Sequence, residues 1–259
     1  MSNLSVIQDL FSLKGKVAII TGGGGGIGRD AAALLSDAGA SLALIDRDID
    51  AANVAAEHIT RNGGKAIALQ CDITSEGQVT NAFAKVAESF GNIDILVNNA
   101  ALVRRVPALE MTMASWREVM DVNLNAAFLC SCEAARRMTR GGSITNVASI
   151  MGMSGGGVYP IASYHASKGG LVNLTRGLAV EWGNKGIRVN AIAPTWVRTE
   201  FTKALLDDPE MSGKLLALMP LGSFADTTDV AAAVLYLSSQ AAKVVTGHVL
   251  AVDGGYLAK

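Results

Sequence analysis

Short runs of consecutive apolar residues alternate along this chain with longer stretches whose apolar positions recur every three or four residues. The alternation persists almost to the C-terminus. Strands are expected near 16–21, 41–46, 65–70, 93–98, 142–147, 187–192 and 248–252. Runs such as Val17-Ala18-Ile19-Ile20 and Leu42-Ala43-Leu44-Ile45 are apolar on both sides of the pleat. That is the signature of parallel strands covered by helices on both faces. Between them lie amphipathic helices; Val79, Phe83, Val86 and Phe90 fall on one stripe of such a helix. Repeated strand–helix–strand units predict an α/β fold, an open doubly wound sheet of seven parallel strands with helices on both faces.

No Pro/Ser-rich linker and no internal repeat divides the chain, so residues 1–259 are expected to form one domain. One segment breaks the rhythm. About 199–226 there is no strand, only short amphipathic stretches carrying Leu205, Leu206, Leu215, Leu216 and Met219. An insertion at the carboxyl edge of the sheet is placed to cover a ligand; the alternative is a peripheral packing helix.

Bulk properties narrow the class by exclusion. A net charge of −1 gives no general reason to expect nucleic acid or an anionic membrane as partner. The first sixteen residues lack the basic start and apolar core of a signal peptide, and no apolar run approaches the ~20 residues that span a bilayer. Three cysteines, Cys71, Cys130 and Cys132, show no disulfide spacing and suit a reducing cytoplasm as ordinary buried residues. His58, His165 and His248 lie too far apart in sequence to suggest a metal site.

The candidate chemistry begins at Thr21-Gly22-Gly23-Gly24-Gly25-Gly26-Ile27-Gly28, between the first strand and an Ala/Leu-rich helix. A flexible linker is one reading of five glycines. The flanks favour another, a strand–turn–helix cradle for a dinucleotide phosphate. Gly22 then permits the sharp turn, Gly26 lets the backbone approach a pyrophosphate, and Gly28 lets the helix pack closely on the sheet. The helix N-terminus suits an anion. Gly23, Gly24 and Gly25 read as dispensable loop. The second strand ends in Asp46, whose carboxylate can accept both hydroxyls of an adenosine ribose and repel a 2′-phosphate. This favours NAD over NADP, although Arg47 beside it tolerates a phosphate. A solvated strand-end acid is the plainer alternative. Asp72 and Ile73 follow the third strand, where an adenine would lie.

Downstream, Tyr164 and Lys168 stand four apart in a helical stretch and so share a face. An ammonium ~5 Å from a phenol, at an effective dielectric of about 20, favours the phenolate by roughly 3 kcal/mol. That is about two pKa units, enough to bring the phenol toward working range. A chance surface pair is the alternative for these two residues taken alone. Ser149 ends the fifth strand at the carboxyl edge, and Asn123 is a polar residue in an otherwise apolar helix, where a satisfied core amide is the plainer reading. Tyr159 is a rival base, but four residues on from it stands Ser163, not a lysine.

From about Leu13 to Tyr256 the chain resembles the short-chain dehydrogenase/reductase family, on "TGGGGGIG", "NNAA", the Asn123 region, Ser149, "YHASK" and the closing "VTGHVLAVDGG". The resemblance implies a Rossmann fold and a tetrad of Asn123, Ser149, Tyr164 and Lys168. In it Tyr164 exchanges a proton with the substrate oxygen, and Ser149 polarises that oxygen. Lys168 binds the nicotinamide ribose and lowers the Tyr164 pKa, while Asn123 holds a relay water. It also implies cofactor contacts from Gly22, Gly26, Ile27, Gly28, Asp46, Asp72, Ile73, Asn99, Lys168, Pro194, Val197 and Thr199. Two departures stand out: Asn98-Asn99-Ala100-Ala101 where the family has Asn-Asn-Ala-Gly, and Pro194-Thr195 where it has Pro-Gly. Both add bulk near the pocket.

The opening "DLFSLKGK", the Arg104-Arg105 pair, "TEFTKAL" and the fifteen-residue gap from Ser149 to Tyr164 resemble gluconate 5-dehydrogenases and polyol dehydrogenases. The expectation is an NAD-dependent oxidoreductase acting on a secondary alcohol of a sugar acid or polyol. A 3-oxoacyl carrier-protein reductase and a non-catalytic NAD sensor or scaffold are the alternatives. Arg104 or Arg105 can clamp a substrate carboxylate, or both are solvated loop arginines. Family resemblance further implies a homotetramer, joined through the C-terminal stretch and the helices around Asn123 and Tyr164.

Overall fold

Seven parallel strands form one sheet: β1 (Val17–Thr21), β2 (Ser41–Asp46), β3 (Lys65–Gln70), β4 (Ile95–Asn98), β5 (Gly142–Val147), β6 (Ile187–Pro194) and β7 (Val249–Val252). Their spatial order is β3-β2-β1-β4-β5-β6-β7 in this computed structural model, which describes residues 3–156 and 158–259. The ladder of β4 begins at Ile95, because Asp94 turns its carboxylate onto the Lys16 ammonium and the Val17 N–H, each at 3.1 Å. β6 runs two residues beyond its expected end, since Ala193 and Pro194 pair with Ala251 and Val252 of β7.

Among the described residues ten helices accompany the sheet: α1 (Asn3–Phe11), α2 (Gly26–Asp37), α3 (Ile49–Arg61), α4 (Glu76–Phe90), α5 (Met113–Met120), α6 (Ala126–Arg137), α7 (Ala162–Trp182), α8 (Lys203–Leu206), α9 (Pro209–Leu216) and α10 (Thr227–Ser238). The doubly apolar strand runs are explained by two cores. Ala18 and Ile20 of β1 and Leu42 and Leu44 of β2 pack against α2, α3 and α10 on one face. Val17 and Ile19 of β1 and Ala43 and Ile45 of β2 pack against α4, α6 and α7 on the other. Alternate residues serve opposite layers, so neither parity can be polar.

From β1 the chain winds outward to β2 and β3, then returns to β4 on the other side of β1. The connections diverge above Thr21 and Asn98 and leave a crevice at the carboxyl ends of the strands. The segment 199–226 contains α8 and α9, and no strand beyond a single bridge between Val197 and Ala225. Leu215 and Met219 bury themselves against Ile150, Met151, Ile161 and Trp196, a third cluster on the crevice side of the sheet.

The glycine run is more constrained than expected. Gly22 and Gly26 have φ of +64° and +52°, a backbone region that side chains disfavour. A Cβ on Gly28 would lie 2.1 Å from the Gly22 carbonyl oxygen. Of the three glycines expected to be dispensable, only Gly25 is free of neighbours. A Cβ on Gly24 would meet Ala51 Cβ at 2.8 Å and the Ala52 nitrogen at 2.9 Å, and one on Gly23 would meet Leu44 Cβ at 3.0 Å. The turn is pressed between β2 and the start of α3, a contact between segments distant in sequence.

Gly24→Ala should therefore cost about 1–3 kcal/mol by overpacking against backbone, whereas Gly25→Ala should leave the urea midpoint unchanged. Equal midpoints for the two variants would refute this packing account.

Candidate active site

A cleft of about 700 Å³ opens along the carboxyl edge of the sheet, from Asp46, Arg47, Asp72 and Ile73 at one end to Ser149, Tyr159 and Tyr164 at the other. Its middle is the glycine turn. Asn99 follows β4 and donates its amide to the carbonyls of Thr21 and Gly22, at 3.1 and 3.0 Å. The Thr21 hydroxyl in turn accepts from the Asn99 and Ala100 N–H groups. These bonds tie the β1 turn to the β4 turn across the topological switch. Asp46 braces the other side, accepting from Gly24 N–H at 2.9 Å and Asp48 N–H at 3.0 Å. No side chain caps the N-terminus of α2 and no acid occupies its first turn, so its first amides remain donors toward an anion.

Of the twelve expected cofactor contacts, Gly22, Gly26, Ile27, Asp46, Asp72, Ile73, Asn99, Lys168, Pro194, Val197 and Thr199 line the cleft. Gly28 does not. It sits behind the turn, against the Gly22 carbonyl and the Asn99 amide, and acts through packing. One Asp72 oxygen accepts from the Thr74 amide and hydroxyl, which holds its carboxyl below the usual range.

Three of the four expected tetrad residues meet at the far end of the cleft. Ser149 follows β5 and starts a short 3-10 turn; its oxygen accepts from Met151 N–H at 3.1 Å, so its own proton is left to donate. Tyr164 and Lys168 lie on one face of α7, with the Lys168 nitrogen 5.6 Å from the Tyr164 ring centre. That nitrogen is almost wholly buried and donates to the Val147 carbonyl at 2.6 Å. Asn123 stands apart, inside a π-turn, Asp121–Asn125, that interrupts the helical run between α5 and α6. Such widenings recur at functional sites. Its amide donates to the Leu102 carbonyl (2.8 Å) and the Ser167 hydroxyl (3.0 Å) and accepts from Leu102 N–H (2.7 Å). With both amide protons engaged and only 2% of the residue exposed, the Asn123 side chain fixes the 99–103 loop and has no proton to offer a water.

Electrostatics correct a second expectation. Desolvation pushes the Tyr164 phenol up to about 12, against a smaller opposing effect of the Ser149 hydroxyl. Burial likewise pushes the Lys168 ammonium down to about 7. A fully charged lysine at moderate dielectric would have lowered the phenol instead. Burial dominates both shifts, and the effects that oppose it at the phenol come from the Ser149 hydroxyl and the Arg105 charge.

Arg104 and Arg105, adjacent in sequence, diverge. Arg104 forks onto Glu118, at 3.0 Å from Nε and 2.6 Å from the terminal nitrogen. Arg105 lies with its guanidinium carbon 5.5 Å from the centre of the Tyr159 ring. The Tyr159 hydroxyl accepts from the Trp196 indole at 2.6 Å, and burial raises its pKa. Tyr159 thus has its own partner and no lysine. Trp196, Cys71, Met151 and Phe201 also line the cleft; of these only Phe201 lies in the 199–226 segment expected to cover a ligand. Ala101 lines the cleft as its extra bulk implied, and Thr195 directs its hydroxyl to the Met219 sulfur at 3.1 Å. From the segment 199–226, Thr199, Glu200, Phe201 and Thr202 reach the cleft wall. Among the described residues no group of three or more His, Cys, Asp or Glu side chains could hold a metal, and no helix is long and apolar enough to cross a membrane.

A family model described as Enoyl-(Acyl carrier protein) reductase matches residues 23–257. Galactitol 2-dehydrogenase (L-tagatose-forming) of Cereibacter sphaeroides is 41% identical, over 96% of this chain and 98% of that protein. Gluconate 5-dehydrogenase of Gluconobacter oxydans (strain 621H) is 37% identical, over 95% and 96% respectively. A solved gluconate 5-dehydrogenase from Burkholderia cenocepacia J2315, in complex with NADP and tartrate, is similar with a TM-score of 0.93 at 34% identity, covering 98% of this chain and 99% of that one.

A lysine whose pKa falls from 10.5 to about 7 on folding binds fewer protons in the native than in the unfolded state between those values, so stability must rise with pH there. Wild-type protein should gain on Lys168→Met by up to about 1.4 kcal/mol per pH unit from pH 7 to 10. Urea midpoints at pH 6.5, 8 and 9.5 measure it, and parallel curves for the two proteins would sink the assignment.

Proposed function

Because the chain belongs to the short-chain dehydrogenase/reductase family, we propose that it interconverts a secondary alcohol and a ketone on a sugar acid or polyol, with a nicotinamide dinucleotide as partner. The observation that carries this reading is the placement of Tyr164 and Lys168 on one face of α7, at the end of a cleft floored by the glycine turn.

The residues present fit such a cofactor. Gly22 and Gly26 leave the floor without side chains, where a Cβ on Gly26 would press within 3.3 Å of Thr199. The uncapped α2 N-terminus offers amide donors to a pyrophosphate. Asp46 and Asp72 stand at the end suited to the adenosine, and Asn99, Pro194, Val197 and Thr199 line the passage toward Tyr164. When bound, the nicotinamide supplies the hydride acceptor or donor.

The chain's own groups handle the proton. Tyr164 gives its phenolic proton to the carbonyl oxygen in reduction and takes the hydroxyl proton in oxidation. Ser149 donates to the same oxygen. Lys168 is held on the Val147 carbonyl, with its nitrogen 5.6 Å from the centre of the phenol ring. Asn123 is a positioning residue that ties the 99–103 loop to α7 through Ser167. A phenol pushed up to about 12 is protonated at neutral pH, ready for reduction and unready for oxidation. Residues 199–226 serve as the substrate cover, anchored by the packing of Leu215 and Met219 in the third cluster.

NAD is the preferred form in this reading, since a carboxylate at Asp46 opposes a 2′-phosphate. The Burkholderia relative was solved with NADP, and Arg47 on the cleft wall sets the opposite pull. The description of the matching family model favours a second reading, a carrier-protein reductase. Such an enzyme needs a basic surface for an acidic carrier, which a net charge of −1 does not suggest. Homotetrameric assembly rests on the family resemblance, and a cytoplasmic location on three cysteines without disulfide spacing.

Tyr164→Phe should abolish turnover of sugar acids and polyols while retaining dinucleotide binding; retained turnover removes Tyr164 from the mechanism. In wild type, kcat/KM for alcohol oxidation should climb from pH 7 to 9.5 while ketone reduction stays level, and a flat oxidation profile would contradict the phenol's assignment. Asp46→Ser should shift the NAD-to-NADP ratio of kcat/KM toward NADP by at least tenfold, whereas an unmoved ratio shows that Asp46 only braces the turn.

A further inference from the structure

A second recess, of about 380 Å³, opens at the amino edge of the sheet, where β1, β4, β5 and β6 begin and the coenzyme cleft is at the other end of the strands. Four cations line it, Lys16, Arg140, Arg188 and Lys243, against a single carboxylate, that of Asp94. That carboxylate is already engaged by the Lys16 ammonium and the Val17 N–H, each at 3.1 Å. In a chain of net charge −1, this local excess of positive charge does not follow from composition.

Arg188 carries its charge without a counterion. Its Nη1 donates to the Val245 carbonyl at 3.3 Å, and its Nη2 to those of Leu237 and Ser239 at 2.7 and 3.3 Å. Among the described residues no carboxylate pairs with it, nor with Arg140 or Lys243. Burial pulls the Arg188 pKa down, the mark of a desolvated cation that carbonyl dipoles only partly compensate. Two hydroxyls add to the wall. Thr246 accepts from Val189 N–H at 3.1 Å, so its own proton is left to donate. Ser238 is 8% exposed, and its hydroxyl is buried with no hydrogen-bond partner among the described residues. An unsatisfied buried hydroxyl destabilises a fold, and a serine reorients by a single torsion. No aromatic side chain lines the recess among the described residues, so nothing there stacks on a base.

We propose that this recess binds a compact, multiply charged oxyanion of the phosphate type, held by Arg140, Arg188 and Lys243 with the Ser238 and Thr246 hydroxyls. Several charge-assisted donors converging on a small volume are what phosphate oxygens require. The anion supplies the counterion that Arg188 lacks and the acceptor that Ser238 lacks. It also ties the start of β6 to the segment that follows α10, so the loaded protein is the more stable one.

The test titrates pyrophosphate, inorganic phosphate and glycerol 2-phosphate into enzyme saturated with NADH, which occupies the cleft, at an ionic strength held constant with KCl. Calorimetry reads Kd and thermal unfolding reads Tm. Pyrophosphate should bind and raise Tm, with inorganic phosphate at least tenfold weaker. Glycerol 2-phosphate binding more tightly than inorganic phosphate identifies a phosphate ester as the ligand, and the reverse order a free oxyanion. The double variant Arg140→Gln/Lys243→Gln alters two exposed side chains and should weaken pyrophosphate binding at least tenfold. Ser238→Ala should weaken it severalfold, while the urea midpoint without anion holds or rises. Arg47→Gln, on the wall of the coenzyme cleft, should leave it unmoved. Absent heat and an unmoved Tm with pyrophosphate, an unweakened double variant, or an equal loss in Arg47→Gln overturns the proposal. Kd is read without turnover, so this outcome is independent of the oxidoreductase reading.

Discussion

The Asn99 amide, spanning the carbonyls of Thr21 and Gly22, is the contact on which the geometry of the cleft hangs. It joins two loops that the winding of the sheet sends in opposite directions. Gly28 presses on the same carbonyl from behind, with no room for a single additional carbon. The start of α2 is therefore fixed relative to β4, and with it the direction in which the helix dipole faces the cleft. Asp46 secures the outer flank of the turn from β2. Three strands thus converge on one short loop, and the rest of the cleft is built outward from it.

At the other end the governing constraint is solvent. Lys168 is enclosed and bound to a backbone carbonyl, and Tyr164 is partly buried against the third cluster. Neither group keeps the pKa it has in water; burial drives the two apart, the phenol up and the ammonium down. Loss of water favours the neutral form of each group, so their protonation responds to any charge that enters the cleft.

Much of this was legible from one chain. Continuous apolar runs announced β1 and β2 as doubly covered, and the spacing from Gly22 to Gly28 marked the turn. Tyr164 and Lys168 fell on one face because helical periodicity demands it. What failed depended on partners far away in sequence. Gly23 and Gly24 looked spare because Leu44 and Ala51, which crowd them, belong to β2 and α3. The partners of the Asn123 amide, Leu102 and Ser167, are contributed by other segments, so its hold on the 99–103 loop was not visible in the sequence. Arg104 and Arg105 were indistinguishable until Glu118 and Tyr159 separated them. The direction of the Tyr164 shift was misjudged because enclosure belongs to the whole fold, and pair spacing says nothing of it.

The helix α7 carries Tyr164 and Lys168 near its start and ends with Leu178, Ala179 and Trp182 sunk in the core behind the sheet. One rod thus has its anchor at one end and its working groups at the other. A slip of one residue turns a helix by about 100°, enough to carry the phenol off the cleft altogether. Fidelity of proton transfer is therefore stored in the packing around an indole more than three turns away, and wear in that distant bearing would surface as misaimed chemistry well before the fold itself gave way.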